Sequence, residues 1–174
     1  MKITCCIVSI LIIGRCFGQT DRKLSAFVSF QVSATQYDRT ITNNAVGFGA
    51  GLQLYLRTHS RLRPALDISS DIFGGTKEQL VDADGKPVYA KDGVTNIFAG
   101  AYLQATPRLF ATLTAGPSFV NDNIYLGIKP TLGYYLVKGR QLAFKISLTN
   151  IFQRDDFSNQ SFGYWNFALV LKLF

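Results

Sequence analysis

The sequence predicts an all-β chain, an eight-stranded antiparallel up-and-down transmembrane β-barrel after a cleaved signal peptide. Three observations carry that prediction. Eight segments alternate apolar and polar residues with period two, and the apolar face is almost unbroken and free of charge. No stretch after residue 18 is long and apolar enough to cross a bilayer as a helix, which takes about 20 apolar residues.

The 174 residues fit one domain behind a leader: residues 1–18 as signal peptide and 19–174 as barrel. Met1-Lys2 gives a small positive start, and Ile3 to Ile13 forms an apolar stretch too short to span a membrane. Cys16 and Gly18 are the small residues at −3 and −1 of a cleavage site before Gln19. Lipidation of Cys16 is disfavoured because Arg15 stands where lipoprotein signals carry a small residue. Cys5, Cys6 and Cys16 all lie in the leader, so the mature chain is expected to hold no disulfide, thiolate metal site or cysteine nucleophile.

The eight segments follow in order. Leu24 to Ser33 sets Leu24, Ala26, Val28, Phe30 and Val32 against Ser25, Ser29, Gln31 and Ser33. Val46 to Arg57 sets Val46, Phe48, Ala50, Leu52, Leu54 and Leu56 against three glycines, Gln53, Tyr55 and Arg57. Leu66, Ile68 and Ile72 alternate with Asp67, Ser69 and Asp71 in the third. The fourth opposes Ile97, Ala99, Ala101 and Leu103 to Asn96, Gly100, Tyr102 and Gln104. The fifth places Leu109, Ala111, Leu113 and Ala115 against Thr112, Thr114 and Gly116. The sixth runs from Ile124 to Leu136 with Gly127, Lys129, Thr131 and Gly133 on its polar face. Leu142, Phe144, Ile146 and Leu148 oppose Lys145, Ser147 and Thr149 in the seventh. The last opposes Trp165, Phe167, Leu169, Leu171 and Leu173 to Asn166 and Lys172.

The composition of the two faces separates a membrane barrel from a soluble sandwich. A sandwich also alternates, but its outer face mixes lysine, glutamate and threonine. Here the polar face is rich in glycine, serine, threonine, asparagine and tyrosine, with isolated charges, and such small and neutral-polar residues suit a crowded lumen. Closure then satisfies every backbone polar group without water. The connections are asymmetric: 58–61, 106–108 and 138–140 are short, whereas 35–44, 74–93 and 153–162 are long, with 121–123 the one short outer connection. Short turns mark the periplasmic end. Aromatic residues near strand ends are expected to form interfacial girdles: Phe73, Phe98, Phe119, Tyr125, Phe152, Tyr164 and Trp165 outside, and Phe110, Tyr134 and Phe174 inside. Pro117 and Pro130 fall within predicted strands and call for bulges near the strand ends.

With its leader, eight alternating segments, Ala115-Gly116-Pro117, Gly133-Tyr134-Tyr135 and terminal Phe174, the chain resembles the small eight-stranded outer-membrane barrels of the OmpA/OmpX type. The resemblance spans essentially all of residues 19–174 and implies a Gram-negative cell outer membrane. A final phenylalanine resembles the signal read by the barrel-insertion machinery; Lys172, two residues before it, departs from the apolar pattern of that signal.

The formal charge of +7 falls to +5 when Lys2 and Arg15 leave with the signal. The cations are scattered singly, with no basic run, so nucleic acid is not an expected partner. Outer-membrane lipid and lipopolysaccharide are the expected neighbours of a monomeric barrel. No cofactor or metal is expected either. Asp82-Ala83-Asp84-Gly85 resembles the start of a calcium loop, but Gly93 stands where the bidentate glutamate is required. Asp84-Gly85 reads instead as a hairpin turn between 78–81 and 87–90. His59, the single histidine, lies on a predicted periplasmic turn with no acid nearby, which argues against catalysis.

The remaining candidates are the ionisable residues of the polar face: Arg57, Asp67, Asp71, Lys129, Lys145 and Lys172. Buried charges of this kind must pair or be hydrated. Eight strands enclose a lumen just wide enough for side chains to fill, so these residues are expected to form a plug. The space opposite Gly47, Gly49 and Gly51 is expected to take tyrosines such as Tyr55, Tyr102 or Tyr125. The expected role is a non-enzymatic barrel contributing to outer-membrane structure and displaying external loops. A narrow solute or ion pore and an exported soluble ligand carrier are the alternatives.

Overall fold

The computed structural model describes residues 24–36, 46–58, 60–74, 80–81, 87–88, 93–120, 123–137, 141–152 and 162–173. The predicted leader and its cleavage site, His59, Asp82-Ala83-Asp84-Gly85 and Phe174 lie outside the described residues.

Eight long strands form the barrel: β1 (Leu24–Thr35), β2 (Val46–Leu56), β3 (Leu62–Phe73), β6 (Gly93–Gln104), β7 (Leu109–Val120), β8 (Asn123–Tyr135), β9 (Leu142–Phe152) and β10 (Phe162–Lys172). Between β3 and β6, β4 (Leu80–Val81) pairs antiparallel with β5 (Pro87–Val88), the hairpin read from the sequence. Each barrel strand pairs with its chain neighbour, and β1 closes the ring against β10 from Phe27↔Lys172 to Thr35↔Tyr164. Closure leaves no edge, which is what a sheet needs where water is absent.

Period-two patterning decides which way each strand faces. Phe30, Phe48, Ile72, Ile97, Leu113, Leu132, Phe144 and Phe167, one from each barrel strand, all point outward and exposed. No charged side chain stands on the outward face of a described barrel strand. Where hydroxyls do face out, Ser70 and Thr95 lie 3.1 Å apart and satisfy each other. The inward face holds the buried residues, polar ones included: Ser33, Asp71, Asn96, Ser118, Lys129, Thr149 and Asn166 are fully shielded. A soluble barrel has the opposite arrangement.

Two expectations need correction. The prolines cause no bulge, because β7–β8 keeps one register from Leu109↔Tyr134 to Val120↔Asn123. Instead the ladder is interrupted on one side of each proline. Pro117 lies in the gap of the β6–β7 ladder between Asn96↔Ser118 and Ala99↔Ala115, while it remains paired with Leu126 of β8. Pro130 lies in the β8–β9 gap between Ile128↔Asn150 and Thr131↔Ser147, and remains paired with Leu113 of β7. A proline has no N–H to donate, so one ladder breaks and the other persists. The aromatic girdle is also smaller than expected. Phe73, Phe98, Phe110 and Tyr164 are buried inside the lumen, whereas Tyr134, Phe152 and Trp165 do face outward.

Candidate functional site

The lumen is filled in layers. Near the turn end, Phe27, Tyr55, Tyr102, Phe110 and Tyr135 form a continuous aromatic layer, with successive ring centroids 5.4, 4.5, 5.4 and 4.9 Å apart. The Tyr102 and Tyr135 hydroxyls meet at 3.1 Å. Near the loop end, Phe73, Phe162 and Tyr164 pack with Val94, Val120 and Ile151, and Tyr125 leans on them half-buried. Charged and amide side chains occupy the space between.

Glycines make the layers possible. A Cβ on Gly133 would lie 2.0 Å from the Phe110 ring, and one on Gly127 would lie 2.6 Å from Phe98. The space opposite Gly47, Gly49 and Gly51 is taken by Phe73, Asp71 and Ser29 rather than by the tyrosines expected from the sequence. The nearest inward side chain belongs to the paired strand, so β3 and β1 fill space left by β2.

The middle layer has two carboxylates with different partners. Asp67 of β3 accepts from Lys129 Nζ of β8 across the lumen at 2.8 Å and from the Gln53 amide of β2. Tyr55 fixes that amide by donating to Gln53 Oε1 at 2.8 Å. Lys145 Nζ of β9 lies 3.8 Å from the second Asp67 oxygen. Lys129 also donates to Ser69 at 3.1 Å. Asp71, two inward positions further along β3, accepts only from neutral donors: Gln31 at 2.8 Å, Ser33 at 2.6 Å, and Tyr164 and Asn166 at 3.2 Å. Asn96 donates to Tyr164 and accepts from Ser118, which extends this network to β6 and β7. Asp67, Asp71, Lys129 and Lys145 give the middle layer two charges of each sign, all deeply buried.

Arg57 and Lys172 sit elsewhere. Both stand at the turn-end mouth below the aromatic layer, with Arg57 exposed and donating from Nε to Ser25 Oγ at 2.7 Å. The six ionisable residues of the polar face therefore divide into a dry group of four and a wet group of two. Sequence reading missed Arg63, which joins the mouth from β3. Its signal was present: extending the Asp67 alternation back by two positions twice reaches Ala65 and Arg63. Pro64 obscured it. Gln53, Asn96 and Asn166 stand on the inward face, as their alternation predicts, but their role as fixed donors emerges only when strands far apart in sequence meet.

No protein-family model and no curated protein sequence matches the chain. Among solved structures, it is similar to the outer membrane protein Ail of Yersinia pestis in a phospholipid bilayer nanodisc. The two share 12% identity over 85% of this chain and 98% of that one, with a TM-score of 0.57. Neisserial surface protein A shares 14% identity over 88% and 99% of the two chains, with a TM-score of 0.53. A de novo designed transmembrane β-barrel matches at 9% identity over 89% and 99%, with a TM-score of 0.51. The closed order of eight antiparallel strands, the uncharged apolar outward face of the described barrel strands and these likenesses agree: this chain has the fold of the small eight-stranded transmembrane β-barrels of outer membranes.

Proposed function

We propose that the chain is a non-enzymatic outer-membrane β-barrel that contributes to membrane structure and holds its longer connections outside the cell, with a plugged lumen. The observation that carries this reading is an outward strand face without charges among the described residues, wrapped around a middle layer that holds two buried charges of each sign. Charges at mid-bilayer on a lipid-facing strand position cost about 2–4 kcal/mol each, so their exclusion from the outward face of every described barrel strand favours lipid over water outside. The same arrangement disfavours a soluble ligand carrier, which needs apolar walls within. The single histidine stands alone in the sequence, which supports a role without catalysis.

A narrow pore is the second reading, and the open cavity at the turn-end mouth favours it. That cavity ends against Phe27, Tyr55, Tyr102 and Tyr135, which favours the plug more. Fractionation tests the location: the mature protein is expected in the detergent-extracted outer membrane, and recovery in the soluble periplasm contradicts the reading. Export with cleavage before Gln19 belongs to the same proposal. Mass spectrometry should find Gln19, or its cyclised form, at the mature N-terminus, and lipid on a retained Cys16 contradicts it.

A further inference from the structure

The mouth at the turn end gathers positive charge from three strands. Arg57 follows β2, Arg63 lies at the start of β3 and Lys172 ends β10, and all three line one cavity of about 330 Å³. Ser25, Thr58, Gln104 and three tyrosines complete the walls, and no carboxylate is among the lining residues described. Three like charges facing one space repel each other, and no aspartate or glutamate lines that space among the described residues.

Two of these cations are held in place without a counter-charge. Arg57 is oriented by its bond to Ser25 Oγ. The Arg63 guanidinium lies over the Tyr102 ring, 5.8 Å from its centroid, and its Nε is buried without a hydrogen-bond acceptor among the described residues. A shielded N–H without an acceptor is unfavourable, and the planar guanidinium fork suits a ligand offering several oxygens. Cations converging from three directions suit a tetrahedral dianion better than a single planar carboxylate.

We propose that the turn-end mouth is a binding site for a phosphoryl group, held by Arg57, Arg63 and Lys172 with the Ser25 hydroxyl and the tyrosine layer behind it. The group is either free phosphate or the headgroup of an anionic phospholipid, and the chemistry of recognition is the same. The proposal goes beyond the membrane role and stands whether or not the lumen conducts.

The full-length mature barrel, refolded in zwitterionic detergent, is titrated with inorganic phosphate by calorimetry against chloride at matched ionic strength. In parallel it is refolded in vesicles of phosphatidylcholine with phosphatidylglycerol, and the retained anionic lipid is counted by native mass spectrometry. Saturable phosphate binding that falls tenfold or more in Arg63→Gln and in Arg57→Gln, but not in Arg108→Gln, supports the site with free phosphate as its source. Arg108 is an exposed cation at the same end that bonds Tyr134 instead, so it controls for net charge. Retention of phosphatidylglycerol that is lost in the same two variants, without phosphate binding, supports the site with the headgroup as its source. No saturable binding in either arm, or binding that the two variants leave unchanged, overturns the proposal. Arg63→Lys, which keeps the charge and loses the fork, should retain part of the affinity and guards against a folding defect.

Discussion

The middle of the lumen and its turn-end mouth both carry cations, yet they handle charge in opposite ways. In the middle, Lys129 meets Asp67 at 2.8 Å with Lys145 beside the same carboxylate, all of them shielded from solvent. At the mouth, Arg57 is exposed and Arg63 half-buried, with no carboxylate among the described lining residues. Water explains the difference. A dry charge must have its counter-charge built into the fold, whereas a wet one is solvated and stays available to a ligand.

That contrast predicts a gradient of effects. Asp67→Ala removes the counter-charge of Lys129 and Lys145 together. It should destabilise the barrel by about 3–5 kcal/mol, since it leaves buried cations without a partner. A refolding titration in lipid measures this, and a loss under 1 kcal/mol would mean that water reaches the layer. Next comes a charge placed where neither region provides for it. Leu113→Arg puts one on the outward face of β7, at a cost of about 2–4 kcal/mol in the same titration if lipid lies there. Tolerance of this change would break the assignment of faces. Asp71→Asn separates the two carboxylates. Its donors are all neutral, so no cation is stranded, and the loss should be about 1–3 kcal/mol from one side-chain amide facing other donors. An effect as large as that of Asp67→Ala would mean that Asp71 also neutralises a lysine. The smallest effect belongs to the mouth, where Arg57→Ala should change stability by about 0.5 kcal/mol or less.

The fold was legible in the sequence because alternation is a local property. All eight segments became strands, and the lipid-facing residues of β2, from Val46 to Leu56, point outward as their parity requires. The aromatic girdle failed for the same physical reason. The height of Phe73, Phe98, Phe110 and Tyr164 along their strands suits a girdle, but each shares parity with the inward set. Parity decides the face, and height decides only the level. The partners in the lumen were not legible. Asp67 and Lys129 are 62 residues apart, and only closure of the ring and its stagger bring them to one level. The same holds for Asp71, whose donors come from β1 and β10.

Planar-bilayer recording tests most directly whether the lumen is plugged. Both aromatic layers and the paired charges between them lie across the path, so the unmodified protein should give no large, stable conductance steps. Large, stable single-channel steps from the unmodified protein would contradict the plug and make the barrel a pore.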